Sequence, residues 1–192
     1  MVMYIPFEEG IEVLGASVYS VISSLPSIPF VVDKYFIEAD LPVPSKIKLD
    51  SWYSQLKWLK VFKVIADKTG PNTLLNIGKR IPLTAIFPTN ITSIEEALQS
   101  IDIAYHMNHR NVKGQVLYNN GVILEGIGHY EFQKNSNEEI SMVCRNPYPC
   151  DFDRGIISAM AQRFQPSAII THDMSKECRK KGADSCTFLI RW

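Results

Sequence analysis

The four cysteines of this 192-residue chain all lie after residue 143, at Cys144, Cys150, Cys178 and Cys186. Cys178 and Cys186 frame a short loop in which Gly182 allows a sharp reversal, so their sulfur atoms are predicted to lie together. Cys150 precedes a predicted helix, where backbone N–H groups favour a thiolate. Three converging thiolates and one nitrogen or oxygen ligand would complete a tetrahedral zinc site.

The spacing of the cysteines alone leaves other interpretations open. Free cysteine is among the most buried residue types and often has no chemical role. A disulfide or another redox function is the third alternative, and the sequence contains no Cys-x-x-Cys motif that would favour metal binding.

Aromatic and apolar side chains on the predicted helices and strands are candidates for a ligand pocket, because such cavities suit flat apolar ligands. Tyr105 and His106 are adjacent near a helix end and could supply a polar contact. The same side chains could equally be ordinary core residues. The candidate pocket residues are Trp58, Phe62, Ile101, Tyr105, His106, Tyr130, Phe132, Phe152 and Met160.

Sequence motifs for catalysis are missing. The chain has no Gly-x-Gly-x-x-Gly, P-loop, Gly-x-Ser-x-Gly or His-Glu-x-x-His pattern. Asp151 and Asp153 could be paired catalytic carboxylates, but acids at a helix N-terminus are explained by the helix dipole. We therefore expect a binding protein rather than an enzyme, with no catalytic residues.

Charge and hydropathy limit the partners. Twenty basic and twenty acidic residues give no net charge, which argues against nucleic acid as a partner. No apolar run is long enough to span a membrane. The apolar stretch from Ile11 to Leu25 follows Glu8 and Glu9 instead of basic residues, which argues against a signal peptide. We expect a cytoplasmic protein, and a neutral surface is compatible with a homodimer.

The predicted elements form a single domain over residues 1–192. Residues 1–50 are expected to be irregular, with a short helix over 13–24 and a strand over 30–39. Residues 51–110 are expected to be helical, with one amphipathic helix containing Trp58 and another opened by the capping box of Ser93 and Glu96.

Residues 111–192 are expected to be β-rich and to contain the cysteines. Strands are predicted at 114–118, 121–133, 139–144, 168–172 and 186–192, with a helix starting near Asp151. Helices followed by a meander indicate an α+β fold: an antiparallel sheet packed against N-terminal helices, with one helix inserted in the C-terminal meander.

The segment from Asn146 to Gly155, together with Cys178, Gly182 and the stretch from Cys186 to Trp192, resembles the 4-vinyl-reductase-like domain family. That family belongs to the superfamily of the nitric-oxide-sensing haem domains and the Golgi-tethering TRAPP subunits. The resemblance is most specific from about Gly121 to Trp192. It implies an α+β ligand-binding fold, often dimeric, with an apolar pocket between sheet and helices.

The resemblance also implies a cofactor. In aromatic-sensing members that look similar at the cysteine hairpin, zinc is held by three cysteines and a carboxylate. Carried over, the ligands are Cys150, Cys178, Cys186 and Glu131, with His129 and Cys144 as alternates, and the zinc is structural. The Tyr-x-Ser-x-Arg motif of the haem-binding relatives is missing, so haem on His106 or His109 is not expected.

The function expected from these features is a sensor-like domain that binds a small apolar or aromatic molecule and signals through a partner protein or a dimer. Two alternatives stay open: an assembly scaffold of the TRAPP type, and an accessory protein or enzyme of tetrapyrrole metabolism.

Overall fold

A computed structural model describes residues 3–25 and 29–192, and it confirms the α+β prediction. The helices of these ranges are α1 Gly15–Ser24, α2 Pro29–Glu38, α3 Gln55–Thr69, α4 Pro71–Thr84, α5 Ile94–Met107 and α6 Cys150–Gln162. The strands are β1 Glu12–Leu14, β2 Trp52–Ser54, β3 His109–Arg110, β4 Tyr118–Asn119, β5 Val122–Ile123, β6 His129–Lys134, β7 Glu139–Arg145, β8 Ile169–His172 and β9 Cys186–Arg191.

The main sheet has four antiparallel strands in the order β6-β7-β9-β8, and α6 lies between β7 and β8 in the chain. Paired residues point to the same face of a sheet. Tyr130, Cys144 and Cys186 are register partners, so they share the face that is buried beneath the helices. A smaller sheet, β2-β1-β3, holds His109 opposite Val13.

Two glycines bring α4 and α6 into backbone contact. A Cβ atom on Gly78 would lie 2.1 Å from the carbonyl oxygen of Phe152, and one on Gly155 would lie 2.2 Å from that of Leu75. No larger residue fits at such a separation. This contact fixes α6 against the other helices and sets the position of its cavity-facing side chains.

The strand predicted over residues 30–39 is wrong, because this segment is helix α2. Pro29 occupies the first helical position, where its fixed φ and missing N–H carry no penalty. Val32, Phe36 and Ala39 are buried at helical spacing. The β-branched and aromatic residues of this segment also favour a strand, and they hid that periodicity.

None of the described helices is long and apolar enough to cross a membrane. The single domain over residues 1–192 stays a prediction.

Candidate functional site

An apolar cavity of about 50 Å³ lies where α1, α3, α4, α5 and α6 meet the two sheets. Its volume matches a few water-sized groups. Aromatic rings and aliphatic side chains form most of its surface, and the polar groups are few. The lining consists of Val13, Ser17, Trp58, Ile81, Ala85, Phe87, Ile101, Ala104, Tyr105, Asn108, His109, Tyr130, Tyr148, Phe152 and Ile156.

His109 is the buried imidazole of this cavity. Its Nδ1 lies 2.7 Å from the backbone carbonyl oxygen of Tyr105, and its Nε2 lies 2.8 Å from the hydroxyl of Tyr148. A carbonyl oxygen only accepts, so Nδ1 carries the proton and Nε2 accepts from Tyr148. Burial lowers the pKa of His109 to about 4, so the ring is neutral at physiological pH.

The aromatic wall is built from edge-to-face contacts. The Tyr105 ring lies 4.7 Å from His109 and 5.4 Å from Tyr130 between ring centres. The Tyr105 hydroxyl donates to the carbonyl oxygen of Ile127 at 2.7 Å. Burial raises the pKa values of Tyr105, Tyr130 and Tyr148, so these phenols stay protonated. Such contacts favour one arrangement of the rings.

A buried ion pair lies behind the cavity. Arg179 binds the carboxylate of Asp153 and donates to the backbone oxygens of Asn146 and Tyr148. Tyr130 donates its hydroxyl proton to Asp153 at 2.6 Å. Burial raises the pKa of Asp153 to about 6, against the opposing effects of Arg179 and Tyr130. The network joins β6, α6 and the segment before β9.

The structure brings together three of the predicted thiols. The Sγ atom of Cys150 lies 2.9 Å from that of Cys186 and 3.9 Å from that of Cys178, and Cys178 and Cys186 are 3.7 Å apart. A hydrogen bond from Cys150 and the charge of Arg179 lower the pKa of Cys186 to about 4. The three sulfur atoms therefore form one hydrogen-bonded group in which Cys150 and Cys186 are the closest pair.

The other predicted zinc ligands lie elsewhere. Glu131 and His129 point to the sheet face opposite Cys186, because each is one position out of register with it. Glu131 instead pairs with Arg145, 3.6 Å away. Cys144 is the register partner of Cys186, but it is not part of the three-thiol group.

The predicted pocket residues divide into two groups. Trp58, Ile101, Tyr105, Tyr130 and Phe152 line the cavity, although their binding of a ligand stays a prediction. The remaining four are outside the lining. The ring of Phe62 lies behind those of Trp58 and Phe152. His106, Phe132 and Met160 are the other three.

Sequence reasoning missed the pair of His109 and Tyr148. His109 follows Tyr105 by one helical turn, and that spacing gives the hydrogen bond from Nδ1 to the carbonyl oxygen. Tyr148 lies between two prolines in a segment that looked like an ordinary loop. No local pattern shows that these two side chains meet, because they are 39 residues apart.

The fold is that of H-NOX domains. An H-NOX protein from S. oneidensis, in the Fe(II) ligation state, has a TM-score of 0.64 at 16% identity over 93% of this chain and 95% of its own. The I5F mutant of T. tengcongensis H-NOX gives 0.60 at 12% identity over 92% and 94%. The unliganded Fe(II) H-NOX protein from K. algicida gives 0.59 at 15% identity over 93% and 95%.

At these identities the likeness establishes the fold alone. No protein-family profile matches the sequence, and no curated protein matches it. The likeness agrees, in fold only, with the nitric-oxide-sensing haem domains named in the resemblance, and no comparison supports the 4-vinyl-reductase-like label.

These comparisons contradict the predicted cofactor. Zinc was expected and haem was not. The similar structures are instead of iron and haem proteins: one is an H-NOX protein in the Fe(II) ligation state, and another concerns haem distortion in the H-NOX family. The zinc prediction is therefore wrong. It relied on thiol spacing and on the resemblance to relatives that hold zinc, and clustered cysteines can pack and hydrogen-bond in a core without a metal ion.

Proposed function

We propose that this chain is a sensor-like domain that binds haem in the cavity, where Nε2 of His109 would hold the iron. The observation that carries the proposal is the state of this imidazole: it is buried, neutral and oriented by a backbone carbonyl. The H-NOX fold supports the proposal.

The chemistry of His109 fits a metal ligand. Metal-binding histidines donate their second ring N–H to a carbonyl or carboxylate, which fixes the tautomer and increases ligand basicity. Histidine is also a common axial ligand of haem. Haem bound there would supply iron as a site for a small gas molecule, and one of the similar H-NOX structures is in the Fe(II)NO state.

The size of the cavity makes one demand on the protein. A volume of about 50 Å³ is far smaller than a porphyrin, so side chains of the lining must move outward to admit one. Tyr148 is the first of these, since its hydroxyl holds Nε2 of His109. We therefore assign Tyr148 the role of a competitor that has to release the imidazole.

The cavity volume favours a second candidate, a small apolar or aromatic molecule bound without haem. The lining is apolar apart from a few groups, among them Ser17 and Asn108, which lie 3.3 Å apart between Oγ and Oδ1. This candidate keeps the small-molecule sensor expected from the 4-vinyl-reductase-like resemblance.

Haem titration of the purified chain tests the proposal. We expect one haem per chain with a Soret band of histidine-ligated iron. His109→Ala should shift that band and weaken binding at least about 100-fold, since loss of an outer-sphere partner alone costs about 10–100-fold. His172→Ala is the matched control, because His172 lies outside the cavity lining.

Tyr148→Phe should tighten haem binding, because it removes the hydroxyl that competes for Nε2. An unchanged Soret band and affinity in His109→Ala would exclude this axial ligand. If haem does not bind but benzene or phenol raises the melting temperature, the second candidate is supported instead. Homodimerisation, a partner protein and cytoplasmic location stay predictions.

A further inference from the structure

A second group of ligand-type side chains lies at the junction of α5 and β6, outside the cavity lining. Asp102 and His106 are one turn apart on the same side of α5, and His129 is the first residue of β6. One ligand atom from each of the three lies within 4.8 Å of the others. We propose that this group, the α5–β6 site, binds a divalent first-row transition metal ion.

His106 gives the strongest support. Its side chain is fully buried, and its Nδ1 lies 2.8 Å from the backbone carbonyl oxygen of Asp102. Nδ1 must therefore donate, and Nε2 is left with a lone pair. Within the described part of the chain, that Nε2 has no hydrogen-bond partner. Buried polar atoms without a partner are rare in folded proteins and call for an explanation such as an ion.

His129 and Asp102 complete the donor set, and Glu125 holds the outer nitrogen of His129. The Nδ1 atom of His129 lies 3.1 Å from Oδ2 of Asp102, and its Nε2 lies 2.9 Å from Oε2 of Glu125. The rings of His106 and His129 have centres 5.1 Å apart. Oδ1 of Asp102 accepts the backbone N–H of Tyr130 at 2.8 Å, which fixes the carboxylate.

This combination of ligands selects the class of ion. Imidazole suits first-row divalent ions from iron to copper, whereas sites for magnesium and calcium use oxygen ligands. The carboxylate of Asp102 would offset part of the charge of a dication. Glu125 is 78% exposed and lies at Nε2, on the side of the His129 ring away from Asp102, so it would orient the imidazole and not bind the ion itself. The remaining positions would be open to water, so the ion is expected to exchange.

The α5–β6 site is independent of the proposed haem site. His106 is not part of the cavity lining. The centre of its ring lies 5.4 Å from that of Tyr105, which does line the cavity. Haem-free protein can therefore be used, and failure of one proposal leaves the other standing.

The test is a titration of the haem-free full-length chain with Co²⁺, followed by its visible absorption and by calorimetry. We expect one Co²⁺ per chain. His129→Gln should weaken binding at least about 100-fold, and Glu125→Gln about tenfold, as expected for a ligand and a more peripheral group. His172→Gln is the matched control and should bind Co²⁺ as the wild type does.

His129 is partly exposed at the start of a strand, so its substitution is expected to preserve the fold, which circular dichroism can check. His106→Gln adds a test at the buried ligand. The thiols are the competing site, and cobalt bound to thiolates absorbs strongly in the near ultraviolet. Any of three results would overturn the proposal. The first is thiolate absorption that Cys186→Ser abolishes, the second is an unchanged affinity for Co²⁺ in His129→Gln, and the third is no binding at millimolar Co²⁺.

Discussion

His109 should make the stability of the protein depend on pH in a predictable direction. Burial lowers its pKa from 6.5 in the unfolded chain to about 4 in the fold. Between these values the unfolded state binds more protons than the native state. The contribution of the neutral ring is therefore complete above pH 6.5, and it is lost as the pH falls toward 4.

The magnitude follows from the width of that interval. Each unit of pKa difference corresponds to about 1.4 kcal/mol. Lowering the pH from 7.5 to 4 should therefore cost the wild type about 3 kcal/mol through His109 alone. Asp153 acts in the opposite direction, because its pKa is raised to about 6, and its stabilising contribution is lost as the pH rises.

Urea denaturation of the wild type and His109→Gln at both pH values isolates the effect of the histidine. Asp153 is present in both proteins, so its contribution cancels to first order in the comparison. We expect the wild type to lose about 3 kcal/mol more than the variant between pH 7.5 and 4. A difference below about 1 kcal/mol would show that His109 is not held neutral by burial.

Three further tests, two of them with a matched control, use urea denaturation. Arg179→Met should lower the free energy of unfolding by about 3–5 kcal/mol, because its partner Asp153 is left buried and unpaired. Lys180→Met is its control: it breaks only a partly exposed pair and should lower the free energy of unfolding by less than about 1 kcal/mol. Gly78→Ala should destabilise the protein by about 1–3 kcal/mol, because the added Cβ meets the backbone oxygen of Phe152. Its control, Asn76→Ala, lies on the exposed side of the same helix and should not destabilise the protein. Ser93→Ala should cost about 1 kcal/mol by removing the cap of α5.

Helices with a clear polar side were predictable from the sequence. The α5 cap is an example: Ser93 accepts from the backbone N–H of Glu96, as the pattern indicates. Glu96 reaches back mainly to Thr92, whose backbone N–H and hydroxyl both donate to its carboxylate. The strands predicted at 139–144, 168–172 and 186–192 were predictable for a similar reason, because alternation and turn residues are local signals. The strands predicted at 114–118 and 121–133 are wrong in extent: the first is reduced to the two residues of β4, and the second is divided into β5 and β6.

The site was harder to predict because its geometry depends on contacts between distant segments. The cysteine spacing correctly indicated that Cys178 and Cys186 are adjacent, but it gave no information on the fourth ligand. That depends on sheet register, which places Glu131 on the wrong face. The choice between His106 and His109 as the cavity histidine depends on where α5 ends, because His106 lies in its last turn and His109 begins β3.

The anchoring of α6 at one end has a consequence for signal transmission. Asp153, in the first turn, is fixed by the buried pair with Arg179, while the cavity-lining Ile156 lies about 4.5 Å further along the helix axis and Gln162 about 14 Å. Gly155, the residue before Ile156, is held against α4 by backbone contact, so α6 is fixed at two neighbouring points. Gln162, at the other end of the helix, donates to the carbonyl oxygen of Ala168, just before β8. A change in the cavity can therefore reach the edge strand of the main sheet through α6 only if α4 and α6 move together.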